Sequence, residues 1–213
     1  MSWSLGEIRA LTIKAARGAG MEWGLADEAG YAVKWLQERN LPGVAAMCCY
    51  LNWRQNNHPA AWPQTTGTPL KDTSYCPIFL GAAYSDRAIP GDIHLSSVRA
   101  PLLMLPFIAG RAGQSAITVQ IGEMVFYVTA EAIASPHNDT AILIDAAPCD
   151  IVTTKDLISQ RPSHNMRIGA LPRVPATQAC CIKMLEKMAH KTYAPASDQS
   201  RLKGAGAGLG DND

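Results

Sequence analysis

Charge is scarce in this sequence. Charged residues make up 17% of the 213 residues and the formal net charge is +1, whereas globular domains average about 25% charged residues. Recruitment to nucleic acid or to an anionic membrane needs a basic field, and here Lys and Arg are scattered with no basic run between aromatics. We therefore expect neither a nucleic acid nor a membrane as a partner.

Long apolar runs and familiar catalytic motifs are also missing. The longest apolar stretch, residues 100–109, is interrupted by Pro101 and Pro106 and is too short to span a bilayer. The histidines form neither H-x-H nor H-E-x-x-H, and there is no G-x-S-x-G and no dinucleotide fingerprint after a strand. The sequence therefore predicts no metal motif and leaves any cofactor unidentified.

The six cysteines include two vicinal pairs, Cys48-Cys49 and Cys180-Cys181, and none forms C-x-x-C. Each pair falls on a helical pattern, so we expect reduced, mostly buried thiols. The chain passes directly from its first residues into a capped helix without a basic and apolar signal region. Both features lead us to expect a cytoplasmic protein.

The chain is organised around a glycine corner. Ser4 and Glu7 form an S-x-x-E capping pair that predicts the start of a first helix. Gly18 and Gly20 end that helix, because glycine accepts the left-handed backbone of a tight corner. A second helix is predicted over residues 23–38, antiparallel to the first.

Two interpretations of this corner remain open. In one, it is a tight helical hairpin, with Trp23 in the core and Arg17 paired to Glu28 on the surface. In the other, Arg17 and the free backbone amides at the N-terminus of the second helix bind an anion. Gly24 and Gly30 each cost about 1 kcal/mol relative to alanine in a helix, so we expect close approach there by the first helix or by a ligand.

The run KAARGAGMEWGLADEAGYAVKWL (residues 14–36) and the ending SRLKGAGAGLGDND (residues 200–213) resemble a bacterial family known as a domain of unknown function. The resemblance is firm over these two segments and vague between them. It implies no activity, so it transfers no catalytic residues onto this chain.

The remaining patterns predict an α+β fold. A third helix is expected over residues 44–56, buried strands over 76–82 and 140–145, and an interrupted edge strand over 98–109. A hairpin of residues 116–121 and 124–130 should turn at Gly122-Glu123, residues 146–175 are loop-rich, and a last helix covers 176–191. We expect a mostly antiparallel sheet in one domain of residues 1–195, with a helical part (1–57) and a sheet-containing part (75–195).

Residues 196–213 form a Gly-rich tail, which is either a flexible terminus or a segment that folds over the corner. In the second case, two arginines converge on one anionic group. The predicted ligand-binding residues come from the corner and the tail: Arg17, Gly18, Gly20, Trp23, Glu28, Ser200, Arg201, Gly204, Gly206 and Asp211.

Catalytic candidates are few. Glu28 is a candidate proton acceptor, Asp145 ends a predicted strand, and Cys149 lies next to a carboxylate. The preferred interpretation is a cytosolic bacterial protein that binds a small anionic metabolite, with a metabolic enzyme as one form of that function. The alternative is a non-catalytic accessory or assembly protein that docks a partner chain through the same corner and tail. The sequence leaves the oligomeric state open under both interpretations, a homo-oligomer included.

Overall fold

A computed structural model describes residues 2–59, 74–89, 91–113, 116–135, 148–156 and 173–193. Its helices in chain order are α1 (Leu5–Gly18), α2 (Trp23–Glu38), α3 (Gly43–Arg54), α4 (Pro77–Ser85), α5 (Leu105–Ala112) and α6 (Ala179–Ala189). Its strands are β1 (Trp3–Ser4), β2 (His94–Arg99), β3 (Ala116–Ile121), β4 (Met124–Val128), β5 (Ile133–Ala134), β6 (Pro148–Asp156) and β7 (Arg173–Val174). No helix in this part of the chain is both long and apolar enough to cross a membrane.

The N-terminal helices confirm the prediction from local signals. The Ser4 hydroxyl accepts from the Glu7 amide at 3.2 Å, and the Ser4 amide donates to the Glu7 carboxylate at 2.7 Å, which completes the capping box. A Cβ on Gly30 would lie 2.6 Å from Ile13 Cγ1, so α1 approaches α2 closely there, as expected. At Gly24 the structure holds no such neighbour within 4 Å.

The sheet is antiparallel, with strand order β2-β6-β3-β4-β5. The predicted hairpin is confirmed, because β3 pairs with β4 up to Ile121 opposite Met124 and the turn is Gly122-Glu123. Ile117, Val119 and Ile121 are buried on one face. The expectation of loop over residues 146–175 is wrong for 148–156, which form β6, an interior strand between β2 and β3. The strand predicted at 140–145 lies outside the described residues.

Two other predicted strands are helical. Residues 76–82 begin α4: the Cys76 sulfur caps the helix by accepting from the Phe79 amide at 3.5 Å, and Pro77 occupies the first turn. Of residues 98–109, only the first two belong to a strand, β2. The rest form a short 3-10 turn, Pro101–Met104, and then α5, each with a proline in its first turn. Proline is tolerated there because the first amides of a helix have no intrahelical acceptor.

The C-terminal helix α6 is confirmed, with short 3-10 turns at both ends (Ala176–Gln178 and His190–Thr192). It packs on α1 and α3, while β7 pairs with β1 and Arg173 donates to the Ser2 hydroxyl at 2.8 Å. Apolar side chains from all six helices and the sheet join one hydrophobic core. The fold is therefore α+β as predicted, and the expected boundary at residue 195 lies outside the described residues.

Candidate functional site

The corner between α1 and α2 is closed by its own backbone. The Ala19 amide donates to Ala15 O at 2.9 Å, the Gly20 amide to Arg17 O at 2.9 Å, and the Met21 amide to Ala16 O at 3.0 Å. Gly20 has φ +81°, the left-handed conformation predicted for the corner. These three amides are therefore already bonded within the corner itself. The start of α2 has no side-chain cap, so the predicted binding of an anion to the free amides of that helix start stays a prediction.

The end of α6 rests directly on this corner. A Cβ on Gly18 would lie 2.0 Å from the Met188 carbonyl oxygen and 3.4 Å from Lys191 Cβ. Only glycine allows the two backbones to come this close. This contact brings Lys191, in the 3-10 turn after α6, beside the end of α1.

A cavity of about 390 Å³ lies where the ends of α1, α3 and α6 meet. We call it the corner cavity. Its lining residues are Gly18, Ala19, Gly20, Arg54, Gln55, Asn56, His58 and Lys191.

The corner cavity is cationic. Arg54 donates through Nη2 to Gly20 O at 3.3 Å, and Lys191 Nζ donates to Gln55 Oε1 at 2.5 Å. Both charges stand near helix C-termini, where the helix dipole favours cations. Of the described residues that line the cavity, none carries a carboxylate. The cavity therefore holds two positive charges whose hydrogen-bond acceptors are neutral.

Arg54 also carries a buried N–H group, at Nε. Its Nε is buried and has no hydrogen-bond partner in the described part of the chain. The neighbouring Tyr50 hydroxyl is buried between Arg54 and Cys76, and burial raises the pKa of this phenol well above its usual range. A buried donor without an acceptor is costly.

The predicted corner residues divide into two groups. Gly18 and Gly20 line the corner cavity, whereas Arg17 and Trp23 form a separate stacked pair. The Arg17 guanidinium lies 4.4 Å from the Trp23 ring centroid and donates to the Met21 carbonyl. Trp23 is 68% exposed, so the interpretation that places it in the core is wrong.

Glu28 lies apart from Arg17. Burial, and then the nearby carboxylates of Asp86 and Asp27, raise the pKa of Glu28, and Arg9 partly opposes the shift. Within the described residues no ion pair joins Glu28 to Arg17, so the predicted surface pair is wrong.

Several predicted site residues cannot be placed. Asp145 and the tail lie outside the described residues, as does the side chain of Cys149. The tail residues concerned are Ser200, Arg201, Gly204, Gly206 and Asp211. Their roles stay predictions.

Sequence reasoning missed Arg54 and Lys191. Each sits in the last turn of a helical segment, where a cation is unremarkable because it complements the dipole. The signal that these two ends meet is Gly18, whose missing side chain admits α6. The sequence shows that a glycine is needed there, but it does not show which neighbour needs it.

Where the structure describes cysteine side chains, these are reduced thiols. Cys48, Cys76, Cys180 and Cys181 are free thiols, and Cys48 and Cys76 are buried as expected, whereas Cys180 is exposed. Burial, together with neighbouring cysteines, raises the pKa of Cys48 to about 12. Cys48 is therefore protonated at neutral pH and is a poor nucleophile. Within the described ranges, no group of three or more His, Cys, Asp or Glu side chains is arranged to hold a metal ion.

The fold and the site together define an α+β protein with a cationic cavity at a helical corner. Residues 3–74 match a family model described as Protein of unknown function (DUF3726). This segment contains α1, α2 and α3, and so all of the lining of the corner cavity except Lys191. Neither the curated proteins nor the solved structures yield a match to this chain.

Proposed function

We propose that this chain is a cytoplasmic bacterial protein that binds a small anionic metabolite in the corner cavity. The observation that carries the proposal is the pairing of Arg54 and Lys191 around a cavity whose described lining has no carboxylate. A volume of about 390 Å³ suits a small ligand, since ligand pockets span roughly 300–1,000 Å³.

Both cations have weaker partners than an anion would be. Arg54 donates to a backbone carbonyl and Lys191 to a side-chain amide. An anionic acceptor adds the attraction between opposite charges to each of these bonds, and the planar guanidinium matches a carboxylate or phosphate. An entering anion would replace these contacts.

The tail is proposed to cover this cavity, with Arg201 adding a third cation. Its attachment supports the proposal, because the described chain ends near α1: Lys14 Nζ lies 5.6 Å from the Tyr193 ring centroid. Whether the bound anion reacts is a separate question. Among the described lining residues only His58 is an ordinary general base, so the geometry supports binding more directly than catalysis.

The test is a thermal-shift and calorimetric comparison of inorganic phosphate, malonate and acetate with chloride at constant ionic strength, with magnesium chloride as a cation probe. We expect one class of oxyanion to raise the melting temperature, because a ligand that binds only the folded state stabilises it. Lys191→Gln should weaken that binding about tenfold, since a charge-assisted hydrogen bond contributes roughly 1.5–3 kcal/mol.

Lys183→Gln is the matched control. Lys183 is an exposed lysine on α6 outside the described lining, so its loss changes net charge equally but leaves the corner cavity intact. If both variants weaken the response alike, the effect is general electrostatics and the cavity is not the site. A response to magnesium alone would also contradict the proposal.

A second candidate, docking of a partner chain, rests on Trp23. A 68% exposed tryptophan stacked with an arginine is the residue pair enriched at protein interfaces. Because this pair lies outside the described cavity lining, Trp23→Ala separates the two functions. Under the docking candidate it should change self-association in sedimentation velocity and leave the oxyanion response unchanged.

A further inference from the structure

The fold brings the two vicinal cysteine pairs together. Cys48-Cys49 lies on α3 and Cys180-Cys181 near the start of α6, and the two helices pack against each other. The two pairs are more than 130 residues apart in the chain, and 133 positions separate Cys48 from Cys181. The positions of the cysteines in the sequence do not predict this contact between the two pairs.

Three sulfur atoms lie close together at this contact. The Cys48 thiol lies 3.1 Å from the Met184 sulfur and 3.7 Å from the Cys181 carbonyl oxygen. The Cys48 and Cys181 thiols also interact with each other. We call Cys48, Cys181 and Met184 the sulfur cluster.

The Cys48 and Met184 sulfurs are close enough to share a metal ion. With a metal–sulfur bond of about 2.3 Å, two sulfurs on one ion can be no more than about 4.6 Å apart. The 3.1 Å between Cys48 and Met184 lies within that limit. Met184 is unbranched and half-buried, so its thioether can adjust to an ion.

We propose that the sulfur cluster is a binding site for copper(I). Two thiolates and a thioether are soft donors, which select Cu(I) over hard cations. Structural zinc sites instead take four Cys, His or carboxylate ligands, and the described residues hold no group of three such side chains arranged for a metal. Because the thioether is the third donor, the cluster fits copper(I) better than zinc.

Binding changes the charge of the site. Binding of Cu(I) displaces the protons of the two thiols, which are released to solvent, and leaves one net negative charge on the site. Cys181 lies in the first turn of α6, where the helix dipole favours negative charge. The exposed Cys180, whose sulfur is 3.9 Å from that of Cys181, offers an entry point for an exchanging ion.

This site is distinct from the corner cavity. Cys181 stands near the start of α6 and Lys191 beyond its end, so ten residues, or about 15 Å of helix, separate them. Failure of one proposal therefore leaves the other unaffected.

The experiment is anaerobic titration of the reduced full-length chain with Cu(I) in competition with bicinchoninate. Stoichiometry, proton release and thiolate-to-copper ultraviolet absorption are followed together. We expect one ion for each chain at the sulfur cluster. Met184→Leu, Cys181→Ser and Cys48→Ser should each weaken binding about tenfold or more, the order of loss seen when a metal's surroundings are altered.

Each matched control also removes one sulfur atom, so test and control variants have the same sulfur content. Met188→Leu removes a thioether one turn further along α6, and Cys76→Ser removes a buried thiol that caps α4; neither should change copper affinity. If Cys48→Ser fails to fold, the two half-buried positions 181 and 184 still decide the matter. No uptake by the wild-type chain, unchanged affinity in Met184→Leu, or zinc binding of equal strength with the same dependence on Met184 would each overturn the assignment.

Discussion

Substituting Gly18 by alanine tests the contact that builds the corner cavity. Gly18 is the last residue of α1 and does not have a positive φ, so its backbone would accept alanine. The obstacle is steric, because the new Cβ would stand 2.0 Å from the Met188 carbonyl oxygen and 2.9 Å from its carbon. Real Cβ contacts are not this short, so α1 and α6 must separate.

Two opposing terms set the magnitude. Replacing glycine by alanine in a helix gains at most about 1 kcal/mol. Overpacking costs about 1–3 kcal/mol, and the upper end applies because the obstacle is helix backbone that cannot rotate away. We therefore expect a net loss of about 1–2 kcal/mol in the free energy of unfolding, which for a chain of this size lowers the melting temperature by roughly 2–8 °C.

Gly24→Ala is the matched control. It is also a helical glycine, but its Cβ would meet nothing within 4 Å in the structure. Only the propensity term remains, so this variant should be neutral or stabilised by up to about 1 kcal/mol. Urea unfolding followed by circular dichroism measures both variants on one scale. The reasoning is refuted if Gly18→Ala equals or exceeds the wild type, or if both variants lose stability equally.

Three further predictions follow from the charges, the thiols and the tail. Burial raises the pKa of Glu28 above its ordinary 4.5, so its favourable contribution to stability is present below that value and is lost as pH rises through the folded-state pKa. Glu28→Gln should therefore gain stability relative to the wild type between acid and neutral pH in urea melts, and a flat difference would contradict this. All six cysteines should react with a thiol reagent in denaturant without prior reduction; fewer than six would reveal oxidation. Deleting the residues after Ser200 should abolish the oxyanion response while barely changing the melting temperature, and a truncated chain with the full response would show that the tail is only a terminus.

Local signals were enough for much of the fold. The Ser4–Glu7 pair, the glycine corner and the alternation of residues 116–121 each specify their own element within a few residues. The structure places α1, α2 and the β3–β4 hairpin where these signals predict. Such elements need no knowledge of what packs against them.

The strand predicted from the apolar run at residues 76–82 was wrong for a physical reason. A short continuous apolar stretch fits a buried strand or a buried helix equally well, because period is lost when every side is buried. The neighbouring Pro77 was the better guide, since it removes only an amide that a helix start leaves unbonded. The same reasoning applies to Pro101 and Pro106, which mark helix starts where an interrupted strand was expected.

The interior strand β6 was not predicted, for a different reason. Its sequence begins with Pro148 and runs through polar residues such as Thr153 and Thr154, so it lacks the apolar alternation of β3. Thr153 is nonetheless buried, and its hydroxyl accepts from the Ile93 amide at 3.0 Å. Because this polar group is satisfied inside the fold, it costs little to bury. A tertiary partner from another loop thus permits a strand that the local pattern does not indicate.

The candidate site shows why a ligand pocket is harder to predict than a helix. The corner cavity takes Gly18, Arg54 and Lys191 from three segments, and each has a sufficient local explanation as a helix end. Only their convergence is unusual, because three helix C-termini would together concentrate negative potential. Arg54 and Lys191 offset that potential, yet Arg54 Nε is left without an acceptor in the described part of the chain. What sets the corner cavity apart is that two cations meet where the described lining carries no carboxylate, and this is the physical ground for proposing an anion there.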